Sequence, residues 1–254
     1  MTDRTIIAIT GADREKFLDG LVTNRLPAVG DGLRYAALLT PQGKYIADFL
    51  ILTEPDRLLL DVSAALAPTL AQRLGMYKLR ADVGIDDSGL SVSRGTGPAP
   101  DGAWPDPRHP ALGWRHYGDG GLDDGTDWDA LRIEHLIPEA GSELTPESYI
   151  LEMGFERLHG VDLRKGCYVG QEVTARMKHK TELRKGLARV SLDRPAPTGA
   201  EITAAGKPAG TLLTARADRA LAYLRFDRAT GPLAADEAGV TMEVSAQEAA
   251  ASGL

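Results

Sequence analysis

Cysteine is almost absent from this 254-residue chain, and Cys167 is its only one. A single thiol excludes an intrachain disulfide framework and suits a reducing compartment, here expected to be the cytoplasm. Aromatic residues make up only 6% of the sequence. Long apolar runs are missing too. No stretch approaches the roughly 18 residues of a membrane span, and the first residues lack the apolar region of a signal peptide, so no membrane association is expected. The five histidines, at 109, 116, 135, 159 and 179, show no HxxxH or paired spacing, which argues against a dedicated zinc site. No Gly-x-Gly-x-x-Gly fingerprint stands in a βαβ setting. Basic charge is short as well: 29 Lys and Arg face 36 Asp and Glu, for a net charge of −7 and a pI near 5.3. Duplex DNA normally calls for a basic footprint, so direct DNA binding is not expected.

What is present is ordinary globular material, 43% hydrophobic and 26% charged, with length for two or three subdomains. Apolar runs at residues 5–10, 35–39, 45–52 and 58–62 read as strands of an antiparallel meander, with turn signals at 41–44 and 54–56. Asp13 is placed to cap a helix carrying Phe17, Leu18, Leu21 and Val22. Ser63 is placed to cap a second, with Leu66, Leu70 and Leu74 on one face. Pro68 fits only near that helix's first turn, which moves its start later. Leu79, Ala81, Val83 and Ile85 alternate as a half-buried strand would. Together these predict an α+β domain over residues 1–94.

Prolines 98, 100, 105, 107 and 110 and the glycines at 118, 120 and 121 then read as a long irregular connection. Asp127 caps the next helix, with Trp128, Leu131, His135 and Leu136 near one face and His135 read as a satisfied core residue. This second part runs over 95–183. Five short strands, 187–192, 201–204, 211–215, 220–224 and 240–244, predict a small barrel over 184–254 whose last residues, 246–254, fray. Residues 206–210 read as one of its turns.

The densest chemistry lies in Lys165, Gly166, Cys167, Tyr168, Val169, Gly170, Gln171 and Glu172. Two glycines four apart permit tight turns and close approach. Lys165 and the local amides are placed to lower the thiol pKa or to bind an anion. The residues alone leave two readings of Cys167 open: a reactive thiolate or transient metal-cluster ligand, and a small buried apolar side chain. His179, within Lys178-His179-Lys180, reads as solvated surface.

This stretch closely resembles the signature of the YgfZ family, the folate-binding relatives of the glycine-cleavage T-protein. Further similar blocks follow in the family's order: Gly11-Ala12-Asp13 with Phe17-Leu18 and Thr23-Asn24, then residues 39–44 with Asp48, then residues 77–83, then Asp106-Pro107-Arg108 with Leu112-Gly113. The resemblance implies an α+β, T-protein-like ring of subdomains around a central folate cavity, with the C-terminal β-barrel closing it. It also implies tetrahydrofolate binding and support for the maturation or repair of iron–sulfur enzymes. Iron–sulfur client or assembly proteins would be the partners, and tRNA modification would be served through such enzymes.

By the same resemblance, Glu134 matches a pterin-reading glutamate, a carboxylate that accepts from both a ring N–H and the exocyclic amine. Tyr168 would wall the cavity. Arg176 and, second to it, Arg80 would pair with the folate tail carboxylates, and Lys165 would serve either that anion or Cys167. Gly166 and Gly170 shape the loop, while Gln171 and Glu172 hold its backbone donors and the cavity wall. A stable cluster usually takes about four protein ligands, so one bound through Cys167 would be shared, substrate-borne or passing through. One departure is Arg25, which follows Asn24 where members commonly have aspartate. Two other functions compete. A folate-dependent aminomethyltransferase would use Asp48, although Ala47 stands where T-proteins carry a second acid. A cysteine-dependent redox protein would need an outside thiol.

Overall fold

In the computed structural model, residues 3–120, 124–179 and 183–252 are described. Gly121, Lys180 and the last two residues, which enter the expected connection, cationic run and frayed end, lie outside them. Contacts divide the chain into two units: Met1–Thr126 with Leu158–Val173, and Asp127–Arg157 with Thr174–Leu254. Residues 95–183 are expected from the sequence as a connection, helix and signature loop completing the folate-binding module of the first domain. Their segments pack into both units.

The first unit is built on an antiparallel sheet of β1 (Arg4–Thr10), β2 (Arg34–Leu39), β3 (Tyr45–Thr53), β4 (Leu58–Ser63) and β5 (Gly84–Asp87), in the order β2-β3-β4-β1-β5. The expected meander is present. Strand periodicity sends Ile7, Ile9, Leu38, Phe49, Ile51, Leu58 and Leu60 to one face. There they pack with Leu18 of helix α1 (Arg14–Asp19) and with Leu70 and Leu74 of α2 (Ala67–Lys78). The same periodicity sends Tyr35, Asp48 and Asp61 to the opposite face.

Two helix expectations change in detail. Asp13 precedes α1 but does not cap it; its carboxylate accepts from the Asp82 N–H at 2.9 Å instead. Helix α2 carries Pro68 in its first turn, as expected, and runs through Lys78, and residues 79–83 of the expected strand form the turn that follows it. Leu79 ends it at φ 45 and ψ −105, and the strand shrinks to β5. The expected irregular connection is also corrected. It holds β6 (Ser91–Gly95), β7 (Trp104–Pro105), a 3₁₀ turn at Pro110–Leu112 and β8 (Trp114–Gly118), paired in the order β6-β8-β7. Prolines there punctuate short strands. Gly113 sits at φ 62, where an added Cβ would lie 2.1 Å from the Gly95 carbonyl oxygen.

In the second unit α3 (Trp128–Glu134) is capped as expected, with Asp127 accepting from the Ala130 N–H at 3.1 Å. His135 follows it half-buried, and burial pulls its imidazole below the usual histidine range. Helix α4 (Gln171–His179) starts inside the signature stretch, which the sequence reading treated as loop. The barrel closes through six strands rather than five: β9 (Lys185–Leu192), β10 (Glu201–Ala204), β11 (Lys207–Arg216), β12 (Arg219–Arg225), β13 (Leu233–Ala235) and β14 (Ala238–Ser245), in the order β10-β11-β12-β9-β14-β13. Its core mixes Val, Leu and Ile with the small side chains of Ala188, Ala204, Ala209, Ala220, Ala222 and Ala235, which suits a narrow barrel. The turn expected at 206–210 contracts to Ala205-Gly206 at φ 47 and 75, the two positive values of a tight hairpin. The expected fray at 246–254 is a helix, α5 (Ala246–Ser252). Ser245 and Glu248 cap it reciprocally: the Ser245 N–H donates to Glu248 Oε2 at 2.8 Å and the Glu248 N–H to Ser245 Oγ at 3.2 Å.

Candidate functional site

Residues 158–173 fold against the loop between α1 and β2, and backbone-directed side chains hold the two together. Thr23 Oγ1 donates to the Gly160 carbonyl at 2.7 Å and accepts from the Ala37 N–H at 2.9 Å. Asn24 Nδ2 donates to the carbonyls of Tyr35 at 3.0 Å and His159 at 2.7 Å. Arg25, the residue that departs from the family pattern, pairs with Asp162 at 2.6 Å. A pair this exposed adds little stability, about 1 kcal/mol or less.

Lys165 has a different job from either one expected. Its side chain is 1% exposed. The ammonium donates to the carbonyls of Asp19, Val22 and Asn24 at 2.6, 3.0 and 2.8 Å and to the Asp19 carboxylate at 3.0 Å. Burial lowers its pKa, with Asp19 partly offsetting. An ammonium has three N–H donors, and these acceptors engage them all. It pins the α1–β2 loop to the signature stretch, with no donor left over for the Cys167 thiolate or an anion.

Gly170 explains how the stretch docks from its other end. It sits at φ 84, where an added Cβ would lie 2.7 Å from the Thr40 carbonyl oxygen. Gly43 in turn would place a Cβ 2.8 Å from Val173. The loop after β2 and the signature stretch therefore meet backbone to backbone, through two of the sequence blocks that carry the resemblance. Gln171 Nε2 donates to the carbonyls of Lys165 and Gly166, each at 3.3 Å, so it holds the loop's acceptors rather than its donors. Tyr168 is buried, Glu172 is exposed, and Gly166 has open space where a Cβ would be.

Between these anchors Cys167 is exposed and reduced. Exposure removes the packing reading and leaves the thiolate and cluster-ligand readings. A polar cleft of about 400 Å³ opens beside it, lined by Glu15, Lys16, Asp19, Arg25 and Leu26 with Lys165 and Gly166. Among the described residues, no group of three or more His, Cys, Asp and Glu side chains gathers to hold a metal ion.

On the sheet's second face, Asp48 is 5% exposed and accepts from both Tyr35, at 2.9 Å, and Tyr45, at 2.6 Å. Burial, then the Asp48 charge, pushes both phenols well above the usual tyrosine range. Each oxygen already accepts from a phenol, so part of the acceptor capacity of Asp48 is spent within the fold. Nearby lies a network the sequence reading did not assign. Asp61 pairs with Arg4 at 2.6 Å and Arg115 at 2.7 Å; Arg115 reaches Asp106 at 3.0 Å, and Arg108 closes on Asp106 at 2.7 Å. The Arg108 guanidinium lies 5.5 Å from the centre of the Tyr35 ring. Burial alone would raise the Asp106 carboxyl, but Arg108 and then Arg115 hold it well below the usual carboxylate range. The sequence signal for it is the Asp106-Pro107-Arg108 block, one of those that carry the family resemblance.

In the second unit, Glu134 closes α3 with its side chain 45% exposed. Its oxygens are taken by two barrel arginines, Arg189 at 3.0 Å and Arg219, and Arg189 also pairs with Glu243 at 2.7 Å. Arg176 is exposed on α4, and Arg80 is exposed just beyond α2 in the first unit. A pterin-reading carboxylate must be free to accept two N–H groups, and a tail-binding lysine must be free to donate. As placed, Glu134 and Lys165 do not fit a ready folate site. A cleft of about 370 Å³ in the second unit, lined in part by Leu151, Arg157, Met177, Lys178 and Ala246, includes none of the expected contacts.

Comparison with known proteins follows these lines. Residues 184–248 match the family described as CAF17, C-terminal beta-barrel domain. The chain is 29% identical to the iron-sulfur cluster assembly factor IBA57, mitochondrial, of Mus musculus, over 91% of this chain and 78% of that protein. It is 31% identical to the IBA57 homolog, mitochondrial, of Mycosarcoma maydis over 74% of this chain, and 32% identical to that of Neurospora crassa over 73%. It spans only about half of those fungal proteins, 55% and 51%. Among solved structures, the glycine cleavage system aminomethyltransferase T from Bartonella henselae superposes with a TM-score of 0.73 over 96% of this chain and 83% of that one. At 13% identity that likeness is one of fold. The relatives' names overturn the cytoplasmic expectation, since all three are named mitochondrial. A lone cysteine reports a reducing compartment and does not tell one such compartment from another. With the fold of a glycine-cleavage aminomethyltransferase, the chain thus carries a barrel that matches the CAF17 C-terminal domain family and is similar over most of its length to the IBA57 iron–sulfur cluster assembly factors.

Proposed function

We propose that this chain supports the maturation or repair of iron–sulfur enzymes, with Cys167 giving one thiolate to a cluster that a client or assembly protein also holds. The observation that carries the reading is an exposed thiol on a loop whose flanks are anchored. Lys165 and Gly170 fix the backbone on either side, yet Cys167 itself faces solvent. A thiol kept for packing would be buried. A ligand thiol must be reachable, and it must lose its proton on binding, so cluster transfer should release a proton. The relatives named as assembly factors support the same reading.

The finer parts of the proposal are membership of the YgfZ branch, tetrahydrofolate binding, and service to tRNA modification through cluster-bearing enzymes. Folate would have to draw Glu134 away from Arg189 and Arg219. Aminomethyl transfer is the weaker reading, because Asp48 already accepts from two tyrosines.

The test is Cys167→Ser in a strain lacking this chain. Iron–sulfur enzyme activities should fall to the level of the deletion while the variant's melting temperature is unchanged. Full restoration by the serine variant would sink the proposal. For the folate part, calorimetry with tetrahydrofolate should show weaker binding to Glu134→Gln, and equal affinity would remove Glu134 from the site.

A further inference from the structure

We infer that the C-terminal end of α2 is a docking surface for an acidic protein, the partner that meets Cys167. Leu79 and Met76 are the most exposed large apolar side chains among the described residues, at 89% and 63%. Leu79 also holds φ 45 and ψ −105, a conformation in which a side chain other than glycine's is strained. Folding gains almost nothing from this leucine, since its side chain buries little area, and glycine would take the backbone without the strain. A contact outside the chain accounts for a leucine held there.

Charge identifies the kind of partner. Between Asp61, which is buried, and Asp82 the sequence carries Arg73, Lys78 and Arg80 and no acid. Arg73 and Arg80 are exposed beside the two apolar side chains. An apolar centre with Arg73 and Arg80 exposed on its helix side, and Asp82 beyond them, offers cations to an acidic protein surface on a chain of net charge −7. Two apolar side chains do not make the continuous apolar face that a membrane-lying helix presents.

Location ties the surface to the thiol loop, and to that extent the inference rests on the proposed role of Cys167. At one end of α1 the Asp82 N–H donates to Asp13 at 2.9 Å; at the other Asp19 accepts from Lys165 at 3.0 Å. Six residues of helix span about 9 Å. Tyr77, Ala81 and Val169 pack against the same core cluster. A protein interface of ordinary size, about 800 Å² on each side, reaches from one feature to the other.

The experiment places p-benzoylphenylalanine at position 79 and cross-links it in cells. The captured protein is then purified and titrated by calorimetry against the parent chain, Leu79→Gly and Arg80→Glu. The expected result is an acidic protein whose affinity falls about tenfold or more with Leu79→Gly, and falls with Arg80→Glu and with added salt. Leu79→Gly should melt at or above the parent temperature. A lower melting temperature would return Leu79 to the fold and overturn the inference, as would a basic partner or no cross-link. Leu79-dependent binding to phosphatidylserine vesicles or to a short single-stranded RNA would also overturn it. Cys167→Ser and Leu79→Gly are assayed together in the deletion strain. If only the cysteine variant fails to support iron–sulfur enzymes, docking at Leu79 falls and the proposed function stands. If Cys167→Ser supports them fully, the proposed function falls and this partner assignment with it.

Discussion

Both units carry ionic networks, and the two differ in depth. In the first, Asp61, Asp106 and Arg115 are linked with side-chain exposures of 0%, 1% and 3%. In the second, Glu134 and Arg219 pair at 45% and 44% exposure, with Arg189 and Glu243 beside them. Buried charges have little water to turn to, so losing one leaves its charged partners poorly compensated. Exposed charges exchange partners with water at little cost. The first network therefore fixes β1, β4 and β8 in place, while the second can release a carboxylate to a ligand. Lys165 belongs with the first kind by its burial, though its partners are mostly backbone carbonyls.

The sharpest way to break this contrast is Asp61→Ala, which takes the carboxylate from Arg4 and leaves Arg115 with Asp106 alone. It should destabilise the chain by about 3–5 kcal/mol in urea unfolding; a loss under about 1 kcal/mol would make the buried network no different from the exposed one. Lys165→Met should cost about 2 kcal/mol through carbonyls left without their donor. It should also reduce support of iron–sulfur enzymes, because the Cys167 loop loses its pin; stability loss with full activity would separate the two.

Acid sharpens the comparison further. The carboxyls of Asp61 and Asp106 are depressed in the folded chain: burial opposes this, but Arg4 and Arg115 for the first, and Arg108 and Arg115 for the second, outweigh it. Their contribution is present above the unfolded carboxylate value of about 3.9. It is lost as pH falls from there through the folded values. Urea midpoints should fall below about pH 4, and Asp106→Asn should flatten that fall. The smallest expected effect is Arg219→Ala. Stability should change by about 1 kcal/mol or less, and if Glu134 reads a pterin, calorimetry should show tetrahydrofolate binding tighten several-fold. Unchanged or weaker binding would mean that Arg219 does not compete for Glu134.

Much of the scaffold was legible before any coordinates. The meander over residues 5–62 and five of the barrel strands announce themselves as short apolar runs set between turn signals. Other elements carried weaker signals. Strand β13 has three residues, too few for a period to show. Strands β6 to β8 lie among prolines that read as breaks. Helix α5 is mostly alanine, and its Ser245–Glu248 cap was readable only by looking for that spacing. The site was legible in part. Cys167 stood out as the only cysteine, and Gly170 as a close-approach residue, but the partners of Lys165 lie 141 to 146 residues away.

By itself the amino-acid order determined the α+β class, the strand pattern and the presence of one thiol between two glycines, since these follow from local periodicity and residue chemistry. Only the tertiary structure decided what each charge does. Lys165 became a clamp, Asp48 was engaged by two tyrosines, Glu134 was paired with Arg189 and Arg219, and Cys167 was left facing water. Burial and pairing set the free energy of a charge, and both depend on residues brought together from distant parts of the chain.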